Sequence, residues 1–265
     1  MTSPVSPTST WERGALSPRP GAAPLGRMLV AQTLAELKLV LRNGEQVLLS
    51  LVIPLGLVVL LVTVPFISLD SANGARPDFF VPGVLALAIM STAFTGQAIA
   101  VGFERQYGVL KRLGATPLPR VVLLGGKTLA VLVVEVLQVA LLCGVGLALG
   151  WRPTGSPVSV VVLVVVATAA FSGLGLWLGG TLRGLTVLAA ANLLWFVLLV
   201  LGGVLFPVSA FGPLEGVLTL LPTAALSTGL RDVLQDGAVP VREVLVLAVW
   251  GLVSLSAASR WFRWE

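Results

Sequence analysis

Six apolar runs, each about twenty residues long, divide this 265-residue chain. That is the length an α-helix needs to cross a hydrocarbon core of ~30 Å. Inside lipid no water satisfies a bare amide or carbonyl, so only helices and closed barrels can span. A barrel would show ~10-residue segments of alternating polarity, and the runs here are continuous instead. Charged residues make up 11% of the chain, against about 25% in a soluble domain. The predicted fold class is an all-α polytopic membrane protein with six transmembrane helices.

The spans are expected at 47–66, 79–103, 121–149, 158–178, 185–206 and 241–259, with Pro54 a kink in the first. With six spans both termini share one side. Thirteen of the 17 Lys and Arg fall on that side; only Arg76, Arg152, Arg231 and Arg242 fall on the other. Basic residues mark cytoplasmic loops, so both termini are predicted to be cytoplasmic. The net charge of +5 is explained the same way, and no nucleic-acid partner is expected.

Residues 1–26 are rich in Pro, Ser and Thr and read as a disordered cytoplasmic tail. No apolar core follows Arg13 and Arg19 at the spacing of a signal peptide. Residues 27–265 form the membrane domain. Over 27–43, Val30, Leu34, Leu37 and Leu41 share one helical face, with Gln32, Glu36 and Asn43 opposite. Such a helix suits the membrane interface, or it simply extends the first span.

The polar island 103–120, FERQYGVLKRLGATPLPR, interrupts two spans. Phe103, Tyr107, Leu110 and Leu113 fall on one helical stripe, and Glu104, Arg105, Lys111 and Arg112 on the other. A short amphipathic helix over 104–114 is expected, ended by Gly114 and Thr116-Pro117. Thr116 is a suitable N-cap, so the third helix is expected to start at Pro117, with Lys127 snorkelling to the interface. On the other side, 207–240 is too apolar for a free loop. Leu214, Val217, Leu218 and Leu221, then Leu226, Leu230, Val233 and Leu234, follow helical spacing about Pro222. They fit an external re-entrant helical hairpin, or two interfacial helices lying flat.

No GxxxxGK[ST] phosphate loop occurs, so no ATP hydrolysis is expected on this chain. Histidine is absent and Cys143 is the single cysteine. No catalytic triad, no metal site and no intrachain disulfide are therefore predicted. No internal repeat argues for an inverted-repeat carrier.

Glu135 is the one acid deep in a span, with Gln138 one turn on. A charged carboxylate at mid-bilayer costs about 2.5–3.5 kcal/mol. Glu135 should thus be protonated, paired, or turned to water or another helix. It lines a pathway or an intersubunit contact, or it makes an interhelical hydrogen bond, with Asn192 of the fifth span a possible partner. Gly146–Gly150 and Gly175–Gly179 match GxxxG and indicate close helix packing.

The run from Glu104 to Arg120, followed by Gly126-Lys127, resembles the cytoplasmic loop of permeases in the type-two ATP-binding-cassette exporter family, most of all the drug and antibiotic exporters. Those loops read Glu-Arg-Glu-x-Gly-Thr-Leu, a basic run, Thr-Pro-Leu and Arg; Gln106 and Val109 depart from the pattern. The likeness extends to Gly202-Gly-Val-Leu-Phe-Pro207, Leu221-Pro222 and Gly229-Leu-Arg231. It implies a permease subunit that pairs as a homodimer or heterodimer in the plasma membrane. Beneath it, two copies of a separate cytoplasmic ABC ATPase would hold ATP and Mg; this chain would be no enzyme and would carry no cofactor. The loop helix would couple to the ATPase through Glu104, Arg105, Tyr107, Gly108, Leu110, Lys111 and Arg112. The second and fifth spans would line the pathway. The function implied is ATP-driven export, including multidrug efflux or antibiotic resistance. A hydrophobic or amphipathic substrate suits a pathway with so few charges. The alternative read from the residues is a proton-coupled secondary carrier using Glu135.

Overall fold

In the computed structural model the described residues are 23–64 and 75–262, and every regular element among them is helical. Most of the predicted tail, the end of the first predicted span and Arg263 lie outside them. Helix α1, Leu25–Arg42, meets α2, Gly44–Thr63, at a 70° bend. The second span is one 31-residue helix, Arg76–Gln106. It is made of α3 (Arg76–Met90), a π-helical turn (Ser91–Gly96) and α4 (Gln97–Gln106). A short α5, Val109–Gly114, precedes α6, Arg120–Ala148. Then come α7 (Pro157–Thr181), α8 (Gly184–Leu201), a 3-10 turn (Val208–Leu214), α9 (Glu215–Leu218), α10 (Pro222–Asp236) and α11 (Val241–Trp261). Among the described residues five helices are long and apolar enough to cross a membrane, and the bent α1–α2 pair makes a sixth if counted as one.

The second span is the axis of the fold. Twelve consecutive α3 residues, Phe79 to Met90, are buried, so this stretch faces its own chain on every side. Against it lies α7, whose glycines remove the side chains that would keep the two backbones apart. A Cβ on Gly175 would stand 2.7 Å from the Phe94 carbonyl oxygen, and one on Gly179 2.6 Å from that of Ala98. The second GxxxG pair thus packs closely, as expected. In the first, Gly146 packs on Val81 and Trp151, but Gly150 serves a turn with φ of 91°. On its far side α7 meets α11, where the Ser254 hydroxyl donates to the Ala170 carbonyl at 3.0 Å.

The fifth span ends at Leu201, short of the expected 206, because the chain unwinds at Gly202 and at Gly203, whose φ is +72°. The carbonyls freed there are taken up by α10. Ser227 donates to Gly202 O at 2.7 Å, and Arg231 donates to Val204 O at 3.3 Å while its guanidinium lies over the Phe79 ring. The expected break at Pro222 is present, since α10 starts there. Its Leu226, Leu230 and Val233 are fully buried. The preceding half is mostly 3-10, with one α-turn at Glu215–Leu218, because Gly212 takes φ of 55° directly before Pro213.

The expected start of α6 needs correction, and the stripe on α1 takes a direction that the sequence left open. The stripe Val30, Leu34 and Leu41 on α1 is exposed, while Glu36 is buried against the bundle. The helix therefore turns its apolar face outward. Helix α6 starts at Arg120 and not at Pro117. A residue before proline avoids the α region, and the two prolines hold 117–119 out of the helix. Thr116 closes α5 instead of opening α6: its hydroxyl donates back to Leu113 O at 2.6 Å.

Candidate functional site

The polar island lies at the end of the bundle that carries most of the Lys and Arg. The expected single helix over 104–114 is two pieces. Helix α4 continues to Gln106, the chain turns at Tyr107 and at Gly108 (φ 70°), and α5 follows. The stripe pattern continues through the turn, but glycine in the left-handed region breaks the helix there.

The two pieces sort the predicted coupling residues into roots and ridge. Glu104 Oε1 accepts from Lys127 Nζ at 2.7 Å, and the same ammonium donates to Glu36 Oε2 at 2.9 Å. Gln32 Nε2 donates to the other Glu36 oxygen at 2.7 Å. Lys127 is 5% exposed, so it does not snorkel as expected; two carboxylates inside the chain satisfy it. A buried ammonium is tolerated only when paired in this way. The neighbour Arg105 anchors elsewhere, donating to the carbonyls of Gly180 at 2.9 Å and Leu182 at 3.1 Å, at the end of α7. Basic groups are favoured at such helix C-termini.

Leu110, expected to face a partner, is fully buried. It packs with Val101, Leu123, Leu124, Leu176 and Phe262. The ridge is what remains outside. Tyr107 is 68% exposed and stacks on Phe103, Val109 is exposed, and Lys111 and Arg112 are exposed beside them.

Sequence reasoning missed Glu36 and the pairing of Lys127. The signals were present: a lone base in an apolar run needs a partner, and Gly125-Gly126 precedes it. A Cβ on Gly126 would meet Gln32 Cγ at 2.6 Å, so this glycine lets α1 lie close enough for Glu36 to reach.

Midway along α6, Glu135 is fully buried and hydrogen-bonded to the Thr168 hydroxyl of α7. Its partner is not Asn192, whose side chain is exposed on α8 and donates to Leu188 O at 2.9 Å. Gln138 joins three elements: it accepts from Thr92 of the π turn at 3.1 Å and donates to Ser50 O of α2 at 2.9 Å. The three predicted intramembrane residues therefore do not converge. Glu135 and Gln138 hold the interior, and Asn192 faces outward.

A family model for the ABC-2 type transporter matches residues 29–234, from α1 into α10. The chain belongs to the ABC-2 type transporter family. None of the curated proteins matches it. As an ABC-2 permease, this multi-pass protein is the membrane component of an ABC transporter and not its catalytic part. Permeases of this family normally work with an ABC ATPase. The ABC-2 match includes the Glu36–Lys127–Glu104 joint and both pieces of the polar island.

Proposed function

We propose that this chain is the permease of an ATP-driven exporter, and that a separate cytoplasmic ATPase, holding ATP and Mg, seats on the ridge of Tyr107, Val109, Lys111 and Arg112. The observation that carries this reading is the division of the polar island. Tyr107 and Val109 present apolar surface outward beside two cations, while Glu104 (through Lys127), Arg105 and Leu110 bind the same segment to α6, α1 and α7. A segment that only carried positive charge would need neither the exposed aromatic ring nor the buried roots. The excess of basic residues at this end supports a cytoplasmic side for it and for both termini.

Two permease copies, identical or related, would enclose the pathway in the plasma membrane. Helix α8 offers the surface for this, with Leu185, Asn192, Leu193 and Phe196 exposed on it. An exposed Asn amide within an apolar helix gains from a partner or a polar lumen. A hydrophobic or amphipathic substrate, such as a drug, an antibiotic or a lipid, fits a pathway so poor in charge.

The test is reconstitution with the cognate ATPase. Tyr107→Ala with Val109→Ala should leave the permease folded and abolish both ATPase association and ATP-driven transport. Full association by the double variant would overturn the docking site.

A further inference from the structure

We propose that Glu135 is held in the bundle as a neutral carboxylic acid that donates a hydrogen bond to Thr168 and pins α6 to α7. The inference goes beyond the exporter reading and stands apart from it.

A count of hydrogens at Thr168 assigns the proton. Its Oγ1 lies 2.7 Å from the Val164 carbonyl oxygen and also contacts Glu135 Oε2. A hydroxyl has one hydrogen, and a carbonyl oxygen has none to give. If Glu135 were ionised, one hydroxyl hydrogen would serve two acceptors, and one close oxygen pair would be left without a hydrogen. With the proton on Glu135 Oε2, both contacts are filled: the acid donates to Thr168, and Thr168 donates to Val164 O.

Among the described residues nothing else neutralises a carboxylate there: Arg27, Lys38 and Arg42 of α1 and Arg242 and Arg260 of α11, two helices that touch α6 and carry basic residues, are exposed, whereas Glu135 is fully buried. Helices α7 and α8 contain no charged residue, and the second span has none between Phe79 and Phe103. On α2 the only charged residue is Glu45, at the end nearer α1. On α6 itself the other cations are Arg120, in its first turn, and Lys127, which is already bound to Glu36 and Glu104. The remaining oxygen, Oε1, is buried with no hydrogen-bond partner. Leaving the carbonyl oxygen of a neutral acid unpaired costs far less than leaving half of a carboxylate unpaired.

The consequence is mechanical. Helix α7 is already seated on the second span through Gly175 and Gly179. The acid at Glu135 ties α6 to that unit halfway along its length.

The proposal is tested by infrared difference spectra of the full chain in lipid vesicles. We expect a carboxylic-acid carbonyl band that disappears in Glu135→Gln, shifts in Thr168→Val and does not change from mildly acidic to neutral pH. A spectrum with no acid band lost in Glu135→Gln, or a band that titrates in that range, overturns the assignment. So does a band that Thr168→Val leaves in place, which is readable even where the glutamine variant fails to fold. Because an amide can also donate, Glu135→Gln should melt with the parent and retain transport once reconstituted with an ATPase, while Glu135→Ala melts lower. A folded Glu135→Gln protein that has lost transport would show that an ionisable group is required, and would overturn the proposal without touching the docking ridge.

Discussion

The Lys127 ammonium stands 2.7 Å from the Glu104 carboxylate, 23 positions away in the chain, and also holds Glu36 of α1. One buried cation therefore joins α1, the end of the second span and the start of the third. Glu104 is the last acid before the Gly108 turn.

Lys127→Met should be among the most damaging single changes in the protein. It leaves the buried Glu36 and the half-buried Glu104 without their cation, and breaking a buried pair costs about 3–5 kcal/mol. Thermal unfolding in detergent should show the loss. The triple variant Lys127→Met, Glu36→Gln and Glu104→Gln should recover most of it, because no charge is left stranded. Equal instability in both would mean that the stem of Lys127 matters and its charge does not.

Leu110 and Tyr107 should separate cleanly. Leu110→Ala opens a cavity among Leu123, Leu124 and Phe262, at a cost of about 2–5 kcal/mol. Tyr107→Ala removes an exposed ring, and surface changes of this kind stay within about 0.5 kcal/mol. Unfolding curves should move for the first and stay in place for the second, while binding of an ATPase partner should weaken for the second.

Gly179→Ala should destabilise by about 1–3 kcal/mol through overpacking, since its Cβ would press on the Ala98 carbonyl, a backbone atom with little room to yield. Gly144→Ala is the control, with nothing within 4 Å of the added atom. A melting temperature unchanged by Gly179→Ala would contradict the close α4–α7 packing.

Gly108→Ala tests the turn between α4 and α5. The site is open, so only the left-handed backbone opposes a side chain, at about 1–2 kcal/mol. A modest drop in stability should come with a larger loss of ATP-driven transport, because the ridge would be re-aimed against its roots. Transport that falls only in step with stability would remove the turn from the coupling path.

The helical class and the span positions were legible because each span must satisfy its backbone internally, and the price of failing to do so in lipid is written into runs of apolar residues. The polar island was legible too, as a stripe pattern. That pattern did not report the break at Gly108, since Tyr107 and Leu110 keep helical spacing across the turn while one faces outward and the other inward. The Pro117 start for α6 was misread because a Thr-Pro pair fits an N-cap as readily as the close of α5.

Hydrophobicity along the chain by itself determined the helical class and roughly where the spans lie, because it is a local property read one segment at a time. Which side chains meet was decided only by the tertiary structure. Glu36 finds Lys127 because Gly126 lets α1 approach α6, and Glu135 finds Thr168 and not Asn192 because α7, not α8, lies beside it. Those pairings depend on helix rotation and crossing. In a bundle where nearly every face is apolar, periodicity does not separate the face that meets protein from the face that meets lipid.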